Sequence, residues 1–274
     1  MPIGNNHFRL LVSPVGAVRE PPLQGFFNMA IDEAISRAVE AGETPPTIRF
    51  YTWATSAISI GAFQPIREVN LDRCRELGVS VVRRVTGGRA LLHQGELTYS
   101  VICPIPSPFF PSNLQGCCRT IAEALQLGLE RLGVTVQVVP PMSRKQKKPH
   151  PPDCFATPSL YELMVGGRKL IGSAQRRWLK VFLQHGSIPI HTDRELEKEL
   201  IVGANGNLGQ RSARLSELLD PVPSMERLKD ELAWGFEKQL GISLKEGTLT
   251  EKEQAHAEEL VQTRYAHDSW TNRR

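Results

Sequence analysis

The stretch RRVTGGRALLHQGELTYSV, residues 83–101, limits the fold of this chain more than any other. A β-branched run, VSVVRR, leads into it, and an alternating run, ELTYSVICP, leads out. Between them Gly87 and Gly88 supply a backbone free to take positive φ and to approach another group closely. The chain must therefore turn between two strands at a point carrying Arg83, Arg84, Arg89 and His93. Exposed N–H groups of such a turn cradle an anion or a carbonyl oxygen, and three arginines attract phosphate or carboxylate. His93 donates or accepts a hydrogen bond near neutral pH. The same residues also describe a tight turn with solvated arginines, and spacing alone does not choose between the two. The pattern is neither GxGxxG nor GxxxxGK[ST], so neither a dinucleotide nor a P-loop site is indicated.

The rest of the chain reads as strands and helices that do not alternate strictly. RLLVSPV, residues 9–15, reads as a strand. In GFFNMAIDEAISRAVEAG, apolar residues at Phe27, Ala30, Ile31, Ala34, Ile35 and Ala38 mark one helix face, with Gly42 as the stop. TIRFYTW and AISIG read as short strands, Pro65 opens a helix through Glu76, and Asn113 or Ser112 caps a helix running to Leu132. VTVQVVP is a strand, and residues 140–153, PPMSRKQKKPHPPD, form a basic, proline-flanked loop. YELMVGGRKLIGSA reads as a hairpin turning at Gly166-Gly167, and VFLQHGSIPI as one more strand. From Asp193 onward the pattern is mostly helical. About nine strands and six helices in this order predict an α+β fold, a mixed β-sheet flanked by helices. We expect one domain over residues 1–274, with 193–274 a mostly helical C-terminal extension.

Composition narrows the function. A chain 41% hydrophobic and 23% charged buries a substantial core. A net charge of +4 is too weak to argue for nucleic acid and suits an acidic protein or ligand. At 7% aromatic content there is no stacking platform for nucleic acid. No run is apolar enough to span a membrane, and the N-terminus lacks an export pattern, so a cytoplasmic protein is expected. Five cysteines without a CxxC pair give neither a zinc signature nor a disulfide framework. The default reading of each is a small buried hydrophobe.

Taken together, RRVTGGRALLHQGELTYSV, NMAIDEAI, SAISIGAFQ, CFATPSLYELMVGGRKLIGSAQRR and FLQHGSI resemble the lipoate–protein ligase A and octanoyltransferase family. The TGGRA form followed by LTYS is closest to its thiol-dependent octanoyltransferase branch. The resemblance implies the catalytic fold shared with biotin ligases. It implies that Cys154 carries the acyl group, and Arg144, Lys145, Lys147, Lys148 and Lys169 would favour its thiolate. It implies that Lys169 reaches the acyl carbonyl, as oxyanion stabiliser or as base. Arg84, Thr86, Gly87, Gly88, Arg89, Ala90 and His93 would then bind substrate from the glycine turn, and Gly172, Ser173, Ala174 and Gln175 would line the same pocket. The alternating strand beyond the turn would wall an eight-carbon chain. His185 is a minor candidate, and Cys74, Cys103, Cys117 and Cys118 are structural.

The reaction so implied moves octanoyl from octanoyl-acyl carrier protein to Cys154. It then moves to the lysine of a lipoyl domain or of the glycine-cleavage H protein, without ATP, cofactor or metal. An ATP-dependent lipoate–protein ligase is the alternative, and TGGRA in place of the ligases' GGG-A form weighs against it. An amidotransferase between lipoyl proteins ranks lower, and a non-catalytic acyl-binding module lowest. The basic loop 140–153 either docks the acidic carrier or is an insertion.

Overall fold

The computed structural model describes residues 6–12, 23–141, 161–204 and 211–274. Its larger sheet has eight strands: β1 (His7–Val12), β2 (Thr47–Tyr51), β6 (Glu96–Pro104), β7 (Gln137–Val139), β8 (Glu162–Val165), β9 (Arg168–Arg177), β10 (Val181–Pro189) and β11 (Ser243–Glu246). Their order is β11-β1-β2-β6-β10-β9-β8-β7. β11, β1 and β2 run parallel, and every other pairing is antiparallel. A second sheet, β4-β3-β5, is built from β3 (Ala57–Ile60), β4 (Ser80–Arg83) and β5 (Leu91–His93). The mixed α+β architecture expected from the element order is the one observed.

Helices cover both faces of the large sheet. α1 (Leu23–Glu40) and α6 (Glu251–Leu260) pack on one face. α3 (Leu114–Arg131) and α5 (Met225–Leu240) pack on the other. α2 (Leu71–Glu76) and α4 (Arg194–Leu200) cover the small sheet, and α7 (Asp268–Thr271) lies near the end of the chain. The helix starts follow from local chemistry. Asn70, Asn113 and Ser224 cap α2, α3 and α5 by accepting from the N–H three residues on, and Thr250 with Glu253 forms a capping box on α6. α3 and α5 cross closely because Gly235 meets Ala124: a Cβ at Gly235 would lie 2.3 Å from the Ala124 carbonyl oxygen.

One expectation needs correction and two need detail. The segment expected to be mostly helical after Asp193 also contributes a strand, Ser243–Glu246, which joins the large sheet beside β1. Four residues with exposed charge carry too little apolar alternation to read as a strand alone; the partner strand supplies the pairing. The helix expected from Pro65 to Glu76 is a short 3-10 turn, Ile66–Glu68, followed by α2, because Asn70 restarts it as a cap. The first strand begins at His7 rather than Arg9 and is described as far as Val12; Ser13–Val15 lie outside the described residues.

β6 explains where the site falls. Leu97, Tyr99, Val101 and Cys103 belong to the core under α3 and α5. Its alternate residues Glu96, Thr98 and Ser100 face α1 and are also buried. A strand buried on both faces with polar residues on one of them must satisfy those residues internally. The sheet face beneath α1 is therefore polar, and the candidate site lies there.

Candidate functional site

The glycine turn is held from within by its own arginines. Arg83 is fully buried and donates to the carbonyls of Gly61, Gln64 and Thr271 at 2.7–2.9 Å. Arg84 donates to Ser59 O and Oγ at 2.9 and 3.0 Å, to Gly87 O at 2.9 Å and to Arg89 O at 2.7 Å. Arg89 pairs with Glu68 at 3.2 Å. This corrects the reading of the three arginines as a long-range anion attractor, for two of the charges are bonded to backbone and one faces a carboxylate. Glycine is required here by close approach: a Cβ on Gly61 would sit 2.1 Å from Gly88 O. A Cβ on Gly88 would meet Arg84 Nη2 at 2.7 Å and lie 3.7 Å from Ala174 Cβ, so the turn closes onto β9.

Under the turn lies a narrow cleft of about 30 Å³. Met29, Tyr51, Leu91 and Ala174 give it apolar surface, and Ser59, Arg84, His93, Thr98, Ser173 and His185 also border it. Its exposed lining is nonetheless almost wholly apolar, because those polar groups are bonded to one another. His93 Nδ1 lies 2.6 Å from Glu96 and its Nε2 2.7 Å from Ser59 Oγ, with the ring stacked 3.8 Å from Trp53. Glu96 also accepts from Thr98 at 2.6 Å and from Ser187. Tyr99 and Ser173 share a hydrogen bond of 2.8 Å. The apolar face of β6 belongs to the opposite core, so the expected alternating wall is replaced by one β6 residue, Thr98, and by side chains from α1, β2, β5 and β9.

Behind the cleft is a second buried network. Asp32 of α1 accepts from Arg49 at 2.8 Å, from Tyr51 at 3.0 Å and from Ser100 at 3.0 Å, and lies 3.2 Å from His185 Nδ1. The His185 Nε2 is 2.7 Å from Thr86 Oγ1. Burial alone would raise the Asp32 carboxyl, but the His185 hydrogen bond and the Arg49 charge outweigh it and hold Asp32 below its ordinary range. Burial lowers His185, against the opposing pull of Asp32. The imidazole is thus held neutral, with one ring nitrogen on Asp32 and the other on the glycine turn.

Not every expected residue borders the cleft. Arg84, His93, Gly172, Ser173 and Ala174 do. Gln175 points to a neighbouring cavity of about 140 Å³ shared with Cys118 and Gln184, which meets the cleft at Ser173 and Ala174. Ala90 packs in the core of the small sheet. Lys169 is 2% exposed with its Nζ 3.0 Å from Glu162, and does not border the cleft among the described residues. Cys154 and most of loop 140–153 lie outside the described residues. The other four cysteines are buried, and burial pushes the thiols of Cys74 up to about 11 and of Cys103 and Cys118 up to about 12. Asp32, Tyr51 and Ser59 were not foreseen. An acid within the apolar run NMAIDEAI was the signal, since a helix buried nearly all round must give it a partner.

Comparison with known proteins follows the same lines. Residues 24–237 match the model of the lipoyl protein ligase A/B catalytic domain. Octanoyltransferase LipM of Brevibacillus brevis is 41% identical over 260 residues, 90% of this chain and 94% of that protein. The Staphylococcus aureus protein of the same name is 38% identical over 262 residues, 91% and 95% of the two chains. Among solved structures, a lipoate-protein ligase A bound with ATP superposes with a TM-score of 0.78 at 28% identity, covering 97% of this chain and 98% of that one. A bipartite lipoate protein ligase from Thermoplasma acidophilum, studied with its E2 lipoyl domain, also gives 0.78, at 26% identity over 97% and 96%. On the family match over residues 24–237 and on its identity along nearly the whole length of these relatives, this chain belongs to the lipoyl protein ligase A/B catalytic domain family.

Proposed function

We propose that the protein is an octanoyltransferase that takes its acyl group from octanoyl-acyl carrier protein and delivers it to the lysine of a lipoyl domain or of the glycine-cleavage H protein. The observation that carries this reading is the apolar cleft beneath the glycine turn, in a chain about 40% identical to octanoyltransferases along nearly its whole length. Burying the six methylenes of an octanoyl chain there, which requires the narrow cleft to widen, is worth about 5 kcal/mol, at about 0.8 kcal/mol each. That holds the thioester at the mouth, where Ala174 meets the turn.

Cys154 is the proposed nucleophile. Its thiolate attacks the octanoyl carbonyl carbon, the carrier's thiolate leaves and takes up a proton, and an acyl-thioenzyme results. The acceptor's neutral ε-amine then attacks the new thioester, an amide forms, and the Cys154 thiol is regenerated. Lys169, held beside Glu162, is the proposed cation at the reacting carbonyl, reached by breaking that ion pair. The Asp32–His185 pair fixes Thr86 and with it the turn that roofs the cleft. Among the described residues no helix is long and apolar enough to cross a membrane, in keeping with a cytoplasmic reaction.

Intact mass after mixing with octanoyl-carrier protein, without ATP, tests the reading. A gain of one octanoyl group, removed by hydroxylamine and absent in Cys154→Ser, supports it. Acylation of a lipoyl domain only when ATP and free octanoate are supplied would replace it with a ligase.

A further inference from the structure

The charges that the glycine turn withholds from solvent reappear on its outer side, from parts of the chain far away in sequence. Arg273 Nη2 donates to Ala62 O at 2.9 Å, and the N–H of Ala62 in turn donates to Thr86 O at 2.8 Å. Arg176, two residues beyond the cleft residue Ala174, reaches Val85 O at 3.4 Å, and its buried Nε has no partner among the described residues. Arg273 stacks 3.6 Å from the Trp270 ring centroid, with Arg264 4.9 Å from the same ring, and Arg274 lies 5.4 Å from Phe63, which is 66% exposed. Arg273 feels the positive charges of Arg274, Arg264 and Arg176, and with burial these push it below its ordinary range. Arg83 beneath them is pushed down to about 10 by burial and by Arg273, Arg274 and Arg84.

Of these outer arginines only Arg264 has a carboxylate at ion-pair distance among the described residues, Glu33 at 2.6 Å. The sequence outside the described residues holds only two acids, Glu20 and Asp153. A cluster of guanidinium groups that repel one another, set among aromatic rings against the outer side of the glycine turn, is an interface composition awaiting negative charge.

We propose that Arg176, Arg273 and Arg274, with Phe63 and Trp270, form the docking surface for the acidic acyl-carrying protein that donates the octanoyl group. This rests on the octanoyltransferase reading. Charge chooses donor over acceptor. The donor's thioester rides on an arm with a phosphodiester, anionic at any working pH, whereas the acceptor presents a lysine side chain that is cationic at neutral pH. An arginine cluster attracts the first and repels the second. The pull is exposed and screened by salt, so it acts on encounter more than on the chemical step.

The test follows thioenzyme formation by intact mass against the concentration of octanoyl-carrier protein, in wild type, Arg273→Glu/Arg274→Glu and Arg274→Glu. The single variant guards against disturbance of the tail, because Arg273 also holds Ala62. The expected result is a donor KM raised on the order of tenfold in the double variant and less in the single, with a flatter salt dependence. The rate with an octanoyl thioester of a small uncharged thiol, and the acceptor KM in transfer from preformed thioenzyme, stay at wild-type values. An unchanged donor KM would overturn the proposal, as would an acceptor KM that rises alone or an equal loss with the small thioester. A wild type that forms no thioenzyme at all sinks the octanoyltransferase reading, and this proposal with it.

Discussion

His185 Nδ1 lies 3.2 Å from the carboxylate of Asp32, with both side chains buried. One residue comes from β10 and the other from α1, 153 positions apart. Through Nε2 the same ring reaches Thr86, so a helix, a central strand and the glycine turn are locked by a single imidazole. Asp32 also neutralises Arg49 at 2.8 Å, with both side chains no more than 2% exposed. Removing the negative charge while keeping the shape leaves a buried guanidinium without its counterion. Asp32→Asn is expected to lose about 3–5 kcal/mol in denaturant unfolding. Ser100→Ala, which removes one hydrogen bond to the same carboxylate, should lose about 1 kcal/mol.

The two titrating partners give stability the same pH dependence. Asp32 and His185 are both depressed on folding, from ordinary values of 3.8 and 6.5. In each case the unfolded chain binds more protons just below the unfolded value, so stability is full above that value and falls as pH drops through the folded one. His185 therefore costs stability as pH falls below about 6.5, and Asp32 adds to the loss in the acid range. Tm measured between pH 7.5 and 2 should decline in two stages, the first below about pH 6.5 and the second below about 3.8, and His185→Gln should remove the first.

Gly61→Ala tests whether the turn must sit where it does. The new methyl would overlap the Gly88 carbonyl, and both partners are backbone. The turn should shift by about 1 Å, enough to cost on the order of 10²-fold in rate if the reacting groups are positioned by it. Far-UV circular dichroism should stay native. Activity within twofold of wild type would mean that the turn does not position the thioester.

Lys169→Met separates two steps. The lysine is buried against Glu162 and must leave that pair to reach the carbonyl; if it does, its loss should reduce transfer by on the order of 10²-fold. Glu162→Gln should leave the fold intact and change the rate by less. Single-turnover mass spectrometry will tell whether formation of the thioenzyme or its aminolysis is the slower step in Lys169→Met. Equal rates in variant and wild type would remove Lys169 from the chemistry.

Thiol labelling should be selective. With the thiols of Cys74, Cys103 and Cys118 held at about 11–12 by burial, their thiolate fractions near pH 7.5 are negligible. Native protein is expected to take up one equivalent of iodoacetamide, at Cys154, and the remaining thiols only after unfolding. Rapid labelling of any of the four buried cysteines would count against Cys154 as the single reactive thiol.

What the sequence determined by itself is local. The Asn113 cap, the Gly166-Gly167 hairpin, the alternation of β6 and the glycine turn are set by residues within a few positions of one another and were legible there, whereas the caps at Asn70, Ser224 and Thr250 went unread. The family was legible too, because several such motifs occur in one order. The tertiary structure alone decided where charge and polarity are spent. Arg83 and Arg84 read as anion binders, yet they serve carbonyls at Gly61, Gln64, Thr271 and Ser59. Strand Ser243–Glu246 exists only because β1 lies beside it. Asp32, Arg49, Ser100 and His185 are scattered along the chain and acquire meaning only when folding buries them together. The physical reason is the same throughout. Propensity and turn chemistry act over a few residues, whereas a buried polar group must find its partner wherever the fold brings one.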